Sequence, residues 1–261
     1  MNTGDMKDYV DTIQHPIHTK RYRDACKKRL DLDGVLVLKN FLNSDSIDTI
    51  LNEAKRQEHL AYYCANYHNV FLKPLNESLP LEHPRNKNIV SSKGCIADDQ
   101  VSEDSPLRLL YESEDFQDFL CTVLGEQSLY RYDDNLSSIN IHYASSGQEL
   151  GWHFDNSSFA VTLLIQSPTE GGVFEYIRDF RYANNKENYD GIDSLIRGAL
   201  KPNVLPVTPG SLVLFRGKEA IHRVTPVAGD RVRVMSVLAY NSKPGVSLSE
   251  SARVTFYGRL G

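Results

Sequence analysis

The sequence predicts a mainly β fold, a sandwich or jelly roll, with helices packed against it. One observation is a series of short apolar segments rich in β-branched residues. A second is the glycine and proline turns between them, such as Thr208-Pro209-Gly210. Many short strands joined by tight turns are typical of sandwiches and jelly rolls. The strand-like segments are residues 139–143, 159–166, 173–176, 211–215 and 231–240.

Helical patterns lie mainly before residue 125. Residues 21–30 are basic and predicted to be helical. Ser44 can cap a helix over 45–60, whose apolar residues recur at helical spacing. Residues 106–124 predict one or two helices, with Gly125 as the C-terminal stop. These helices are expected to cover the outer face of the β structure.

The chain has room for one large β domain with helical additions, or for two small domains, and its hydrophobic content of 41% supports a substantial core. We expect residues 1–127 to form a helical and irregular region that buttresses the barrel. Within it, residues 66–104 contain three prolines and are predicted to be irregular. Residues 128–261 are expected to form the β core, with an insertion at about 178–206 that interrupts the strand pattern.

Charge and cysteine usage exclude some classes of function. The formal net charge is −5 and the pI is about 5.9, whereas a nucleic-acid binder usually needs a basic surface. No apolar run approaches the length that spans a bilayer, and the N-terminus lacks the apolar core of a signal peptide. The four cysteines are scattered and form no CxxC pair, which fits a reducing compartment. We expect a cytoplasmic protein that binds neither nucleic acid nor membrane.

A His-x-Asp triplet follows the predicted strand over residues 139–143. After a turn, the chain continues through Trp152 into His153-Phe154-Asp155. If this stretch is extended, the side chains of His153 and Asp155 point to the same side and Phe154 points to the other. One metal ion can then contact both residues. The triplet alone is weak evidence, because such triplets arise readily by chance.

A second histidine, His222, follows the predicted strand at 211–215. In a jelly roll, strands far apart in sequence meet around one mouth, so His222 can approach the triplet. Two imidazoles and one carboxylate can occupy one face of an octahedral Fe(II) and leave three positions open. The same donor set also suits a zinc hydrolase with an open position. A β-sandwich binding protein without enzymatic activity is a further alternative.

The ordered motifs across residues 128–245 resemble the Fe(II)- and 2-oxoglutarate-dependent oxygenases, most closely the prolyl-hydroxylase-like branch. The motifs run from Tyr143 through His153-x-Asp155, Gly171-Gly172 and Gly210-Ser-Leu-Val-Leu-Phe215 to His222-Arg-Val-Thr-Pro-Val227 and Gly229-Asp-Arg231. Residues 33–42 are similar to the strand that opens many of these enzymes. The resemblance implies a double-stranded β-helix of jelly-roll or cupin type. It also implies that His153, Asp155 and His222 are the catalytic metal ligands, with Fe(II) as the metal, 2-oxoglutarate as cosubstrate and O2 as oxidant.

The resemblance further implies a basic residue that holds the far carboxylate of 2-oxoglutarate. Arg231, nine residues after His222, fits this place, and Arg233 is the second candidate. A guanidinium can hold a carboxylate through two parallel hydrogen bonds. Tyr143 stands where related enzymes often have a phenol that contacts the cosubstrate.

Residues 151–158 and 167–172 are also similar to a smaller group that acts on free amino acids, especially lysine. This group contains both hydroxylases and radical halogenases. The halogenases have glycine where this chain has Asp155, and the missing carboxylate leaves a coordination site for chloride. The resemblance therefore implies hydroxylation of an unactivated C–H bond here.

The expected partner is a small molecule, most simply a free basic amino acid, and a homodimer is a possible assembly. Asp134, just before the first barrel strand, is a candidate for pairing with a cationic substrate side chain. Trp152 and Asn156 flank the metal motif and are candidates for lining the pocket, although Trp152 could equally pack in the core. Carrier-tethered and protein-bound residues remain alternative substrates for the same chemistry.

Overall fold

The computed structural model describes residues 6–261 and contains helices and strands throughout this range. The helices are α1 (Lys20–Asp33), α2 (Ser44–Gln57), α3 (Pro106–Glu112), α4 (Glu114–Leu124), α5 (Tyr189–Ile196) and α6 (Glu250–Tyr257). The strands are β1 (Val35–Leu38), β2 (Tyr62–His68), β3 (Ile89–Ile96), β4 (Ile139–Ala144), β5 (Leu150–His153), β6 (Ala160–Gln166), β7 (Glu170–Gly171), β8 (Phe174–Ile177), β9 (Tyr182–Ala183), β10 (Lys186–Glu187), β11 (Asn203–Leu205), β12 (Leu212–Phe215), β13 (Ile221–Val224), β14 (Val227–Ala228) and β15 (Arg233–Leu238).

One large antiparallel sheet dominates the described part of the chain. Its strand order is β1-β12-β6-β15-β4-β3-β5-β13-β8-β11, with β2 paired to β3. Strand β3 links the two halves of the curled sheet, since it pairs with β4 through residues 94–96 and with β5 at Ser91 and Leu150. The arrangement confirms the predicted mainly β jelly-roll fold with flanking helices.

The helices cover the outer face of the sheet and form the largest apolar cluster with it. This cluster joins Leu30 of α1, Ile50 of α2 and Phe116 of α4 to sheet residues such as Leu163 and Val234. Helix caps set the boundaries of these helices. Asn43, rather than the predicted Ser44, caps α2 by accepting a hydrogen bond from the backbone N–H of Ser46.

The segment from 106 to 124 forms two helices that meet at Ser113, whose side chain caps α4. Gly125 ends α4 in the left-handed conformation, with φ of +79°. The prediction of one or two helices ended by this glycine is confirmed. The face of β15 that carries Val234 packs in the helix-covered cluster, as the alternation along 231–240 predicts.

The first half of the chain contributes more β structure than predicted. Strand β2 runs into the start of 66–104, β3 covers 89–96 within it, and the prolines fall in the connection between the two strands. The sequence did not reveal β2 because Tyr62, Tyr63 and Tyr67 are exposed, so the strand lacks the usual alternation of buried apolar residues. Strands β1, β2 and β3 all join the main sheet. The division near residue 127 stays a prediction.

The proposed insertion at 178–206 contains the small β9–β10 hairpin, helix α5 and strand β11. Ile192 and Leu195 of α5 pack with Phe154 in a second apolar cluster. Within residues 6–261, no helix is both long and apolar enough to cross a membrane. The four cysteines are free thiols.

Candidate metal centre

Strand pairing brings the two predicted histidine ligands together. His153 ends β5, and His222 on β13 lies directly opposite it in the antiparallel register. Directly opposite residues on neighbouring strands have side chains about 5 Å apart, and the two imidazole centroids are 4.1 Å apart. Asp155 lies just beyond β5. Its Oδ1 is 3.6 Å from Nε2 of His153 and 3.4 Å from Nε2 of His222.

The other ring nitrogen of each histidine faces a backbone carbonyl. Nδ1 of His153 lies 2.8 Å from the oxygen of Gly151, and Nδ1 of His222 lies 2.9 Å from the oxygen of Ala220. A carbonyl oxygen only accepts hydrogen bonds, so each Nδ1 carries the proton. Both Nε2 lone pairs therefore face the common centre, which is the tautomer that a metal ligand needs.

The carboxylate of Asp155 is held ionised in this setting. Burial alone would raise its pKa, but His222 and His153 outweigh burial and lower it through charge and hydrogen bonding whenever they carry a proton on the side that faces the carboxylate. Burial, together with the charge of His222, lowers the pKa of His153. Oδ2 of Asp155 is buried without a hydrogen-bond partner in the described part of the chain. An ionised carboxylate with an unused buried oxygen, facing two imidazole lone pairs, is the electrostatic arrangement that a cation completes.

Each of the three residues offers a donor atom, and these atoms lie within 4.8 Å of one another. The set fits the iron-binding triad of two histidines and one carboxylate. Gly217 makes room for it. A Cβ at this position would lie 1.9 Å from Oδ2 of Asp155 and 2.9 Å from Cε1 of His222. The Gly217 carbonyl also accepts a hydrogen bond from the N–H of Asp155.

The metal centre opens on a cavity of about 930 Å³ inside the curled sheet. Its walls are largely apolar, and within the described residues Asp155 is the only carboxylate that lines it. The basic side chains that line it are Lys73, Lys93 and Arg233, together with His142 and His68.

The two candidate arginines lie in different environments. Arg233 is 9% exposed and lines the cavity, and burial lowers the pKa of its guanidinium to about 10. Among the described residues, its guanidinium has one hydrogen-bond contact, the sulfur of Met235 at 3.4 Å. Arg231 is exposed, and its guanidinium donates to the carbonyl of Pro168. The structure therefore does not bring Arg231 to the cavity. The physical reason is that β15 begins only at Arg233, so strand alternation does not extend back to residue 231.

Tyr143 also lies away from the cavity. Its side chain is 1% exposed, and its hydroxyl donates to the carbonyl of Ala54 in α2 at 2.8 Å. The expected contact with a cosubstrate gains no support, because Tyr143 belongs to the helix-covered face of β4. Strand alternation puts its neighbour His142 on the cavity side.

The three residues expected to contact substrate do not line the cavity. Both carboxylate oxygens of Asp134 accept backbone hydrogen bonds, one from Leu136 and one from Leu248, so this side chain closes a turn. Trp152 is buried in the cluster around Phe154, under the guanidinium of Arg223. Asn156 is exposed.

Several residues of this cavity were not predicted from the sequence. Lys93 was not anticipated because residues 66–104 carried no strand signal. His142 was visible in the alternation of Ile139, Ile141 and Tyr143 with polar neighbours, which puts it opposite the apolar set. Gly217 gave no signal, since its role depends on contacts with residues distant in sequence.

Comparison with known families settles the membership of the chain. The family model described as Halogenase D matches residues 18–255. The chain belongs to the Halogenase D family. A search of curated proteins found no match.

Solved structures share the fold of this Halogenase D member. An oxidoreductase of the 2OG-Fe(II) oxygenase family from Burkholderia pseudomallei aligns with a TM-score of 0.55 and 12% identity, over 86% of this chain and 93% of that one. The epimerase SnoN from nogalamycin biosynthesis, described as non-heme and alpha-ketoglutarate dependent, gives 0.57 and 12%, over 85% and 84%. HygX from Streptomyces hygroscopicus, solved with nickel, 2-oxoglutarate and hygromycin B, gives 0.57 and 12%, over 85% and 88%. At this identity the likeness establishes the fold.

Proposed function

We propose that this member of the Halogenase D family is an Fe(II)- and 2-oxoglutarate-dependent oxygenase that hydroxylates an unactivated C–H bond of a small substrate. The observation that carries the proposal is the convergence of His153, Asp155 and His222, with both Nε2 lone pairs facing the carboxylate. When bound, iron, 2-oxoglutarate and O2 supply oxidation of the substrate coupled to formation of succinate and CO2.

The protein's own residues would bind the metal and 2-oxoglutarate, orient the substrate and shield the reacting C–H bond from water. His153, Asp155 and His222 would hold the metal, and the adjoining cavity would admit the small molecules that react there. Arg233, buried and aimed into the same cavity, is the residue we assign to the far carboxylate of 2-oxoglutarate. Its stem passes beside Gly172, where an added Cβ would lie 3.0 Å from Cδ of Arg233. Gly172 thus makes room for this side chain, whereas Gly171 is packed against the backbone of Pro226. The apolar walls keep bulk water from the reacting C–H bond.

Asp155 supports hydroxylation as the outcome. The radical halogenases that the sequence resembles have glycine at this position, which leaves room for chloride on the metal. Here the carboxylate is present, ionised and directed at both histidines, so it fills that place. Membership of the Halogenase D family is compatible with this assignment, since hydroxylases and halogenases share the remaining ligands.

A free basic amino acid such as lysine stays a prediction and gains no support from Asp134, Trp152 or Asn156. These residues were its expected contacts, and none of them lines the cavity. A cationic side chain entering the cavity would meet no carboxylate among the described lining residues except Asp155, which is committed to the metal.

The metal assignment is tested with His153→Ala and with the matched control His18→Ala, since His18 is exposed. We expect anaerobic Fe(II) titration to give one site per chain in the wild type and the control, and much weaker binding in His153→Ala. Succinate formation from 2-oxoglutarate in air should follow the same order. Equal metal binding by all three proteins contradicts the site, and tight zinc binding without succinate formation supports a hydrolase instead.

The cosubstrate assignment is tested by comparing two neighbouring arginines. We expect Arg233→Met to raise the KM for 2-oxoglutarate by about 10- to 100-fold, because a charge-assisted pair with a carboxylate contributes about 1.5–3 kcal/mol. Arg231→Met should leave this KM within about twofold of wild type. The reverse pattern would return the role to Arg231.

A further inference from the structure

The charges inside the cavity do not balance once the proposed cosubstrate is in place. Fe(II) with Asp155 has one net positive charge, and Arg233 adds another, while 2-oxoglutarate carries two negative charges. These cancel. Two lysines also line the cavity: Lys73 is exposed to solvent, which leaves Lys93 as a further, partly buried cation. An unpaired buried cation is costly, so a site of this kind usually has an anionic partner.

Lys93 lies against groups that do not neutralise it. Its Nζ is 3.0 Å from Nε2 and 3.2 Å from Nδ1 of His142. It also lies 5.6 Å from the ring centroid of Phe256. Within residues 6–261, the acidic groups that act on it are the thiols of Cys95 and Cys64, and burial lowers its pKa. The strand pairing explains the contact with His142, because β3 and β4 lie side by side with Cys95 opposite His142.

A smaller cavity of about 180 Å³ adjoins the main one at this point. Both are lined by Lys93, His142, Tyr132 and Phe256. The pKa of His142 is lowered well below its usual value, first by burial and then by Lys93 and Arg233. His142 is therefore neutral at pH 7 and offers one N–H. One ammonium and one imidazole N–H match the charge and the two oxygens of a single carboxylate.

Much of the remaining cavity wall is apolar, although it also includes polar side chains such as Asn66, Ser91 and Thr162. Val213 and Phe215 of β12 and Val224 of β13 are among the apolar residues that line it. A cavity of this volume is within the range that holds drug-sized ligands. It offers room for an apolar body beside 2-oxoglutarate.

We propose that the substrate is an apolar monoacid, whose carboxylate binds Lys93 and His142 while its uncharged body extends past the metal centre. The ligand is a substrate only if the proposed oxygenase function holds. The anion-binding site itself does not depend on that function and is tested by binding. It assigns to Lys93 a role in substrate specificity, separate from the role of Arg233 toward 2-oxoglutarate. It also disfavours the basic amino acid that the sequence resemblance implies.

The test uses three probes that share an eight-carbon chain and differ in head group: octanoate, octan-1-ol and octylamine. Each is titrated calorimetrically, without oxygen, into the full chain loaded with Fe(II) and saturating 2-oxoglutarate. We expect octanoate to bind at least about 10-fold more tightly than the other two, from the usual strength of a charge-assisted hydrogen bond. Lys93→Met should remove this preference, and Lys93→Arg should retain most of it. The exposed Lys28 gives the control Lys28→Met, which should match wild type.

Three results would overturn the proposal. Octylamine could bind as tightly as octanoate, Lys93→Met could leave the octanoate affinity unchanged, or Lys93→Met could weaken 2-oxoglutarate binding instead. If Lys93→Met does not fold, the comparison of the three probes on wild type decides alone. Lys93-dependent octanoate binding without any succinate formation would refute the oxygenase and leave the anion site standing. Succinate formation without a preference for octanoate would do the opposite.

Discussion

Replacing Gly217 with alanine should disable the metal centre while leaving the fold intact. The added Cβ would lie 1.9 Å from Oδ2 and 2.6 Å from Cγ of Asp155. Heavy atoms essentially never approach a Cβ within 3.0 Å, so Oδ2 must retreat by about 1 Å. Metal–ligand distances tolerate only about 0.2 Å. The required displacement is therefore about five times the tolerance of the bond.

The magnitude follows from this displacement. Misplacing a reacting group by about 1 Å costs on the order of 100-fold, and the same Cβ also crowds His222 at 2.9 Å. We expect the Kd for Fe(II), measured by anaerobic calorimetry, to rise by at least about 100-fold. The free energy of unfolding of the metal-free protein should change by less than about 1 kcal/mol, because the carboxylate of Asp155 can rotate away into the open side of the cavity.

Gly198→Ala is the informative control for Gly217→Ala. Nothing lies within 4 Å of a Cβ at 198, but its φ of +75° strains any residue with a side chain. This variant should lose about 1 kcal/mol of stability and keep its metal affinity. Gly217 has no such backbone requirement, so the two variants separate steric damage at the metal from backbone strain. Unchanged Fe(II) affinity in Gly217→Ala would refute the assignment of Asp155 as a ligand.

Two further predictions concern neighbouring residues of β4. Tyr143→Phe removes the hydrogen bond to Ala54 and should cost about 1 kcal/mol, lowering Tm by about 2–4 °C; a changed KM for 2-oxoglutarate would instead revive its cosubstrate role. The pKa of His142 is lowered in the fold, first by burial, so below about pH 6.5 the unfolded chain binds this proton more readily than the folded chain does. The free energy of unfolding therefore decreases as the pH decreases. His142→Gln should reduce this slope by up to about 1.4 kcal/mol per pH unit in urea unfolding at pH 5 to 6.5, and identical slopes would contradict it.

The metal centre was predictable because its geometry is local. His153 and Asp155 need only an extended backbone to face one side, and the sequence around them has strand character. The third ligand, His222, depends on pairing between strands far apart in sequence. The predicted jelly roll indicated such a pairing in general, and the register of β5 with β13 gives it residue by residue. No feature of the sequence gives that register, since it depends on how turns of different lengths close.

The residues that bind the cosubstrate were harder to predict, because their placement depends on where each strand begins and on which face each side chain lies. Arg231 and Arg233 are two residues apart, so in a continuous strand both would point to the same face. They differ because β15 begins only at Arg233. For Tyr143 the alternation did contain the answer, since it shares parity with Ile139 and Ile141, both fully buried against the helices. The resemblance to a family position outweighed that local evidence and led to a predicted contact that the placement of Tyr143 does not support.

The two faces of the sheet have different roles, one in stability and one in binding, and this explains how the fold tolerates a cavity this large. The main apolar cluster lies outside the barrel, between the sheet and helices α1 to α4, so that stability does not depend on filling the interior. Removing apolar atoms from that cluster opens a cavity and costs about 2–5 kcal/mol for a leucine. The inner face, free of that constraint, carries His142, Lys93 and Arg233 around an open volume. Substrate specificity in this fold can therefore change on the inner face at little cost to stability, while the metal ligands and Gly217 stay fixed.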